Sequence, residues 1–156
     1  MMNNKKLLIL CLVIPLAVGG LAALITGGGM NEFESLNQPP LSPPGVLFPI
    51  VWTILYLLMG AASYFVAASD SPKEITRNAI TLYGAQLAFN FLWPILFFGF
   101  SAYLLSFVWL VALLILIILT ALAFYRINKP AGYLLVPYII WVTFAGYLNF
   151  GVFLLN

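Results

Sequence analysis

The chain has 156 residues, of which 64% are hydrophobic and only 6% are charged, and its formal net charge is +2. This composition leaves no room for a sizeable soluble module, and so small a net charge argues against nucleic-acid binding. The chain has no histidine, which excludes His-ligated haem, His-based metal sites and His acid-base catalysis. We therefore expect no nucleic-acid partner, no metal and no cofactor.

Five apolar runs are each near the length of about 20 residues that a helix needs to cross the hydrocarbon core. All ten charged residues lie outside these runs. Backbone polar groups in lipid must be paired within the segment, so runs of this length form helices. The sequence therefore predicts an all-α integral membrane bundle of five transmembrane helices in a single domain. The predicted spans are residues 7–26, 45–68, 79–99, 103–125 and 131–154.

The charges also predict an orientation. An odd number of spans places all cations on one face of the membrane, opposite the loop at residues 27–44 that contains Glu32 and Glu34. By the positive-inside rule the N-terminus is cytoplasmic and Asn156 lies outside. We expect a multi-pass protein of a bacterial cell membrane. The cations are Lys5, Lys6, Lys73, Arg77, Arg126 and Lys129.

The first span has a second interpretation, as a cleaved secretory signal. Two lysines precede an apolar core from Leu7 to Val18, and small residues follow it at Gly19, Gly20, Ala22 and Ala23. The apolar character continues through residues 24 and 25, which is longer than a signal core. A retained first helix is therefore the favoured prediction.

The loop at residues 27–44 is the longest connection. Apolar Phe33, Leu36 and Leu41 lie among its polar residues, which predicts a lid folded over the mouth of the bundle. The alternative is a solvated connector. We expect Ser42 to cap the second helix with Pro43 as its first residue, because proline at that position loses no helical hydrogen bond.

Three further prolines affect the helices: one at the start of the third helix and two within the third and fifth spans. Ser71 is the expected cap of the third helix, with Pro72 at its first position. Pro94 and Pro137 lie within spans, where each frees a backbone carbonyl about four residues earlier. We expect both to bend their helices and to shape a cavity.

The candidate binding residues are neutral and form stripes on three helices. A charge inside the membrane costs about 2.5–3.5 kcal/mol on insertion scales, and the spans contain none. Two tryptophans lie far inside the spans instead of at the interface that tryptophan usually prefers. If the stripes converge, they form an apolar pocket with a few amides, suited to a large flat ligand; the alternative is ordinary bundle packing. The candidates are Trp52, Tyr56, Gln86, Asn90, Trp93, Trp141, Phe144, Ala145 and Leu148.

Three motifs in order resemble those of the TspO/MBR family, the tryptophan-rich sensory or translocator proteins. The first is Pro-Pro-Gly at residues 43–45 followed by Phe-Pro-Ile-Val-Trp-Thr-Ile-Leu-Tyr at residues 48–56. The second is Gln-Leu-Ala-Phe-Asn-Phe-Leu-Trp at residues 86–93, and the third runs from Leu135 to Asn149. The five-span layout and the long first loop match over the whole chain. Gln38 and Leu41 stand where that family often has lysine and tryptophan.

The resemblance implies a five-helix bundle that binds porphyrins such as protoporphyrin IX, and related flat hydrophobic ligands, within the bilayer. By that analogy Trp52, Asn90, Trp141, Phe144 and Ala145 line the pocket, and the first loop covers it. The implied role is sensing, transport or sequestration of a tetrapyrrole.

Two rival functions remain at this point. The first is a light-dependent porphyrin-degrading enzyme that uses Trp52 and Trp141, which comparison of dark and illuminated incubations would reveal. The second is a structural membrane subunit that binds no small molecule. Gly84 and Ala88, spaced for close helix packing, favour a homodimer in either case.

Overall fold

The structure is a computed structural model that describes residues 3–27 and 30–156. Within these residues it is a helical bundle without strands, as the sequence predicted. A wide π turn, Ile95–Gly99, extends the fourth helix. The α-helices are α1 (Asn4–Ile25), α2 (Met30–Ser35), α3 (Leu47–Ala67), α4 (Lys73–Pro94), α5 (Tyr103–Ile127), α6 (Lys129–Leu134) and α7 (Val136–Leu155).

Five helical segments in the described part of the chain are long and apolar enough to cross a membrane: α1, α3, α4 with its π turn, α5, and α6 with α7. The prediction of five transmembrane helices is therefore confirmed. The largest difference in bounds is at the third span, where α4 begins at Lys73 rather than at residue 79. Hydropathy detects only the apolar part of a helix, and the first turns of α4 are polar.

The two ends of the bundle differ in charge. Alternating helix directions place all six cations at one end, which we call the cation end. The opposite end, which we call the loop end, has the connection between α1 and α3. Which end faces the cytoplasm stays a prediction.

Two predicted helix starts are wrong. Helix α3 begins at Leu47 after Val46, and the Ser42 hydroxyl donates instead to the Pro39 carbonyl oxygen at 2.7 Å. Pro44 explains this, because a proline disfavours the helical conformation at the residue before it. Pro72 precedes α4 instead of starting it, with an extended ψ of 138°, and no side chain caps that helix.

The two prolines within spans interrupt their helices in different ways. Pro94 ends α4 and the π turn follows, in which the Phe100 N–H donates to the Ile95 carbonyl oxygen at 3.1 Å. Wide turns of this kind re-aim side chains and occur often at functional sites. Pro137 lies in the first turn of α7, just after a break at Leu135 that separates α6 from α7.

Helices α1 and α3 approach each other closely at Gly60 of α3. A Cβ built on Gly60 would lie 2.6 Å from the Cys11 carbonyl oxygen and 2.8 Å from the Leu12 Cα. Pro15, four residues after Cys11, cannot donate to that carbonyl, which is therefore free to face α3. The absence of a side chain at Gly60 thus sets the separation of these two helices.

The connection between α1 and α3 is attached to the end of α7. The Asn37 N–H donates to the Asn156 Oδ1 at 3.2 Å, while the Asn156 Nδ2 donates to the Asn37 carbonyl oxygen at 2.9 Å. The Tyr147 hydroxyl donates to the Pro40 carbonyl oxygen at 2.6 Å. Buried Pro39 packs on Gly151. These contacts bring the loop over the loop end of the bundle.

We expect Gly151→Ala to loosen this attachment, because the added Cβ would lie 2.5 Å from the Pro39 Cβ. Overpacking costs about 1–3 kcal/mol, so the detached loop should become at least roughly fivefold more populated. Cleavage by a glutamate-specific protease after exposed Glu34 measures this. The control is Gly146→Ala, whose Cβ meets its nearest atom at 3.9 Å. Equal cleavage rates in the two variants would contradict the prediction.

Candidate ligand cavity

A cavity of about 290 Å³ lies between α1, α3, α4 and α7 in the loop-end half of the bundle. The π turn and α2 contribute aromatic residues to its wall near the loop end. It is lined by Leu16, Gly19, Gly20, Ala22, Ala23 and Thr26 of α1, Phe33 of α2, Phe48, Pro49, Trp52, Thr53 and Tyr56 of α3, Asn90, Trp93 and Pro94 of α4, Phe97 and Phe98 of the π turn, and Trp141, Ala145, Leu148 and Asn149 of α7.

The structure places seven of the nine candidate residues on the cavity wall: Trp52, Tyr56, Asn90, Trp93, Trp141, Ala145 and Leu148. The other two lie behind it. Gln86 is buried toward the cation end, with 1% of its surface exposed. Phe144 packs on the far side of Trp141, with ring centroids 5.6 Å apart. The three stripes therefore do converge, although two members contact the wall residues instead of the cavity.

The floor of the cavity is a chain of hydrogen bonds between buried side chains. The Tyr56 hydroxyl donates to the Asn90 Oδ1 at 2.8 Å, and the Asn90 Nδ2 donates to the Tyr138 hydroxyl at 2.7 Å. The Tyr138 hydroxyl in turn donates to the Gln86 Oε1 at 2.7 Å. The chain holds Asn90 in one orientation and leaves a second amide hydrogen of Asn90 for another partner. It also connects Gln86, which lies behind the wall, to Asn90 on the wall through Tyr138.

The position of Tyr56 in this hydrogen-bonded chain requires glycine at position 19. A Cβ on Gly19 would overlap the aromatic ring of Tyr56. The ring therefore lies against the backbone of α1 at Gly19, and its hydroxyl reaches Asn90 on α4. Gly19 and Ala23, four residues apart on α1, both line the cavity.

The tryptophan indoles of the bundle differ in their hydrogen bonds. The Trp93 Nε1 donates to the Asn149 Oδ1 at 3.0 Å, and the Trp109 Nε1, outside the cavity, donates to the Phe89 carbonyl oxygen at 2.9 Å. The Trp141 Nε1 is buried and has no partner among the described residues. A buried donor without a partner costs about 1–3 kcal/mol. Trp141 therefore lines the cavity while its indole N–H stays buried, without a partner among the described residues.

The wall is aromatic and uncharged. Phe48 contacts Phe33 on one side and Trp141 on the other, with ring centroids 5.0 Å and 5.8 Å apart. The rings of Trp52 and Tyr56 lie 5.7 Å apart. None of the lining side chains that the structure describes carries a formal charge. Such a wall favours the faces of flat, conjugated ligands.

Sequence reasoning did not select several lining residues for the site. Phe97 and Phe98 reach the wall because the π turn re-aims them. Phe33 does so from α2, the short helix within the connection between α1 and α3. Two signals were available: Pro94 predicted a bend and a cavity at this point, and Phe33 belonged to the predicted lid. The residues of α1 had none, since that helix is apolar on all sides.

The chain is similar to known proteins over the whole region that forms the cavity. The TspO/MBR family profile matches residues 11–155. The tryptophan-rich protein TspO of Chlorobaculum tepidum is 42% identical, covering 98% of this chain and 99% of the relative. The tryptophan-rich sensory protein of Cereibacter sphaeroides is 38% identical, covering 80% and 76%. The translocator protein of Bos taurus is 36% identical, covering 88% and 83%. The profile match includes every cavity-lining residue.

Proposed function

The chain belongs to the TspO/MBR family, and from that premise we propose that it binds porphyrins and related flat hydrophobic ligands in the cavity of its membrane bundle. Protoporphyrin IX is the type ligand. Relatives bear the names sensory protein and translocator protein, which supports a role in sensing, transport or sequestration of the bound tetrapyrrole. The integral membrane location agrees with a ligand that dissolves poorly in water.

The observation that carries the proposal is the aromatic, uncharged wall of the cavity, on which Trp141 has a buried indole N–H with no partner among the described residues. The ring faces of Trp52 and Trp141 offer stacking surfaces, and the buried N–H offers one hydrogen bond to an acceptor on the ligand once the wall moves outward to admit the ring. Asn90 supplies a second polar contact on the floor. Because the wall has no cation, ionised carboxylates of a porphyrin stay at the rim of the cavity, where they remain solvated.

The cavity volume implies movement on binding. Ligand pockets commonly measure about 300–1,000 Å³, and the cavity of about 290 Å³ is at the small end of that range. A ring as large as a porphyrin therefore requires a wall element to move outward. The loop and α1 are the two candidates, since both contribute lining residues from outside the closely packed core.

The test is a titration of the purified protein with protoporphyrin IX in the dark, followed by porphyrin fluorescence. We expect saturable micromolar binding. Trp141→Phe keeps the ring and removes the N–H, and should raise the Kd roughly fivefold to tenfold, because one hydrogen bond contributes about 1–1.5 kcal/mol. The matched control is Trp109→Phe, which removes an indole N–H outside the cavity.

Two outcomes would contradict the proposal. No saturable binding by the unaltered protein would remove the porphyrin-binding function and favour a structural role. Equal Kd values for Trp141→Phe and Trp109→Phe would remove Trp141 from the site. Dark conditions keep the measurement free of any photochemistry of the porphyrin.

A further inference from the structure

The loop end of the cavity is closed. Phe33, Phe97 and Val152 form a buried cluster there, with 5%, 2% and 0% of their surfaces exposed, and Phe48 packs against it. The loop above this cluster is held by its hydrogen bonds to the end of α7. A ligand in water above the bundle therefore meets packed aromatic rings, not an opening.

The cation end of the cavity is closed as well. Tyr56, Asn90 and Tyr138 are joined by hydrogen bonds and are almost fully buried. Below them Met59 and Val66 have no exposed surface. A path toward that end would require several buried hydrogen bonds to break.

The side of the cavity between α1 and α3 is not covered by other described residues in this way. Of all its lining residues, four are exposed: Gly20 and Ala23 on α1, and Pro49 and Thr53 on α3. The remaining lining residues are buried or half-buried. Both helices cross the bilayer, so exposure at these positions is exposure to lipid. The open side of the cavity thus lies between α1 and α3.

The local sequence explains this gap. Toward the cation end, α1 and α3 approach closely at Gly60, and Gly19 lies against Tyr56. Beyond that contact α1 presents Gly20 and Ala23, which are too small to fill the space, and a Cβ on Gly20 would have no atom within 4 Å.

Helix α1 is also the least buried of the membrane-spanning helices. Only two of its residues are buried, Pro15 and Ala22, whereas α3 and α5 each have seven. Separating its loop-end half from α3 therefore exposes little buried surface.

We propose that the ligand enters and leaves sideways, from the hydrocarbon of the bilayer, through a portal between α1 and α3 that is bounded by Gly20, Ala23, Pro49 and Thr53. This proposal rests on the proposed binding function. It defines the substrate class: molecules that partition into the bilayer and arrive from lipid, not from water. Outward movement of α1 also supplies the space that a porphyrin ring needs.

The test compares two alanines on the same helix. Ala23→Phe narrows the portal, whereas Ala17→Phe places the same side chain at an exposed position that does not line the cavity. Stopped-flow fluorescence with protoporphyrin IX and the protein in lipid nanodiscs gives the association and dissociation rates. For Ala23→Phe we expect both rates to fall by about tenfold, a barrier increase of about 1.4 kcal/mol. The Kd should change far less than the rates. Ala17→Phe should match the unaltered protein.

Two further variants distinguish entry through the portal from entry through the loop end. Thr53→Phe narrows the same portal from α3 and should slow both rates in the same way. Gly151→Ala loosens the loop and should leave the association rate unchanged. Unaltered rates in Ala23→Phe and Thr53→Phe, or faster association in Gly151→Ala, would overturn the portal while binding persists. Loss of saturable binding in the unaltered protein would instead overturn the proposed function, and the portal with it.

Discussion

We expect Gly60→Ala to lower the midpoint of thermal unfolding by roughly 5 °C, because overpacking costs about 1–3 kcal/mol and each kcal/mol shifts the midpoint of a chain this size by about 2–4 °C. The new Cβ would lie 2.6 Å from the Cys11 carbonyl oxygen and 2.8 Å from the Leu12 Cα. Both of these atoms belong to backbone, which cannot move aside as the tip of a side chain can. Helix α1 must therefore shift away from α3.

The matched control is Gly84→Ala, which makes the same substitution on α4 at a position with no atom within 4 Å of the new Cβ. Alanine is better than glycine in a helix by about 1 kcal/mol, so this variant should unfold at the same temperature or higher. Thermal unfolding in detergent, followed by circular dichroism, measures both variants. Equal midpoints would show that α1 and α3 are not in close contact at Gly60.

The second large effect is expected from Tyr138→Phe. The Tyr138 hydroxyl accepts from Asn90 and donates to Gln86 at the centre of the buried chain. Its removal leaves the Gln86 amide without any partner, since the Gln86 Nε2 already has none among the described residues. Hydrogen bonds between membrane helices contribute about 1–2 kcal/mol in model peptides, and losing two should destabilise the protein by about 2 kcal/mol.

A double-mutant cycle separates lost hydrogen bonds from lost packing. Tyr138→Phe combined with Gln86→Leu removes the stranded amide as well, so the double variant should be less destabilised than the sum of the two single variants. Tyr64→Phe is the control, because no hydrogen bond of the Tyr64 hydroxyl occurs in the described part of the chain. Additive losses across the cycle would argue against the buried chain.

Much of the architecture follows from local properties of the sequence. Hydropathy is a property of a segment, so the five spans could be predicted within a few residues at most of their ends. Trp52, Asn90 and Trp141 were selected because helical periodicity places them with polar and aromatic neighbours on one face. The start of α3 at Leu47 was missed, since the four prolines before it make several neighbouring positions suitable as the first residue of a helix.

Chemically identical residues show what the sequence does not determine. Gly60 and Gly84 lie at similar positions in apolar helices, yet a Cβ on the first would collide with backbone, while one on the second would meet nothing within 4 Å. Trp93 and Trp141 both line the cavity, but among the described residues only the Trp93 indole has a partner. In each case the difference comes from a residue on another helix.

The sequence by itself therefore determined a membrane bundle of five helices, the segregation of its cations to one end, and its family. The tertiary structure decided which residues of α1, α2 and the π turn join the cavity, which indole donor is unused, and which side of the cavity is open. Span and charge depend on contiguous residues, whereas a cavity, its donors and its opening depend on distances between helices that are remote in the chain.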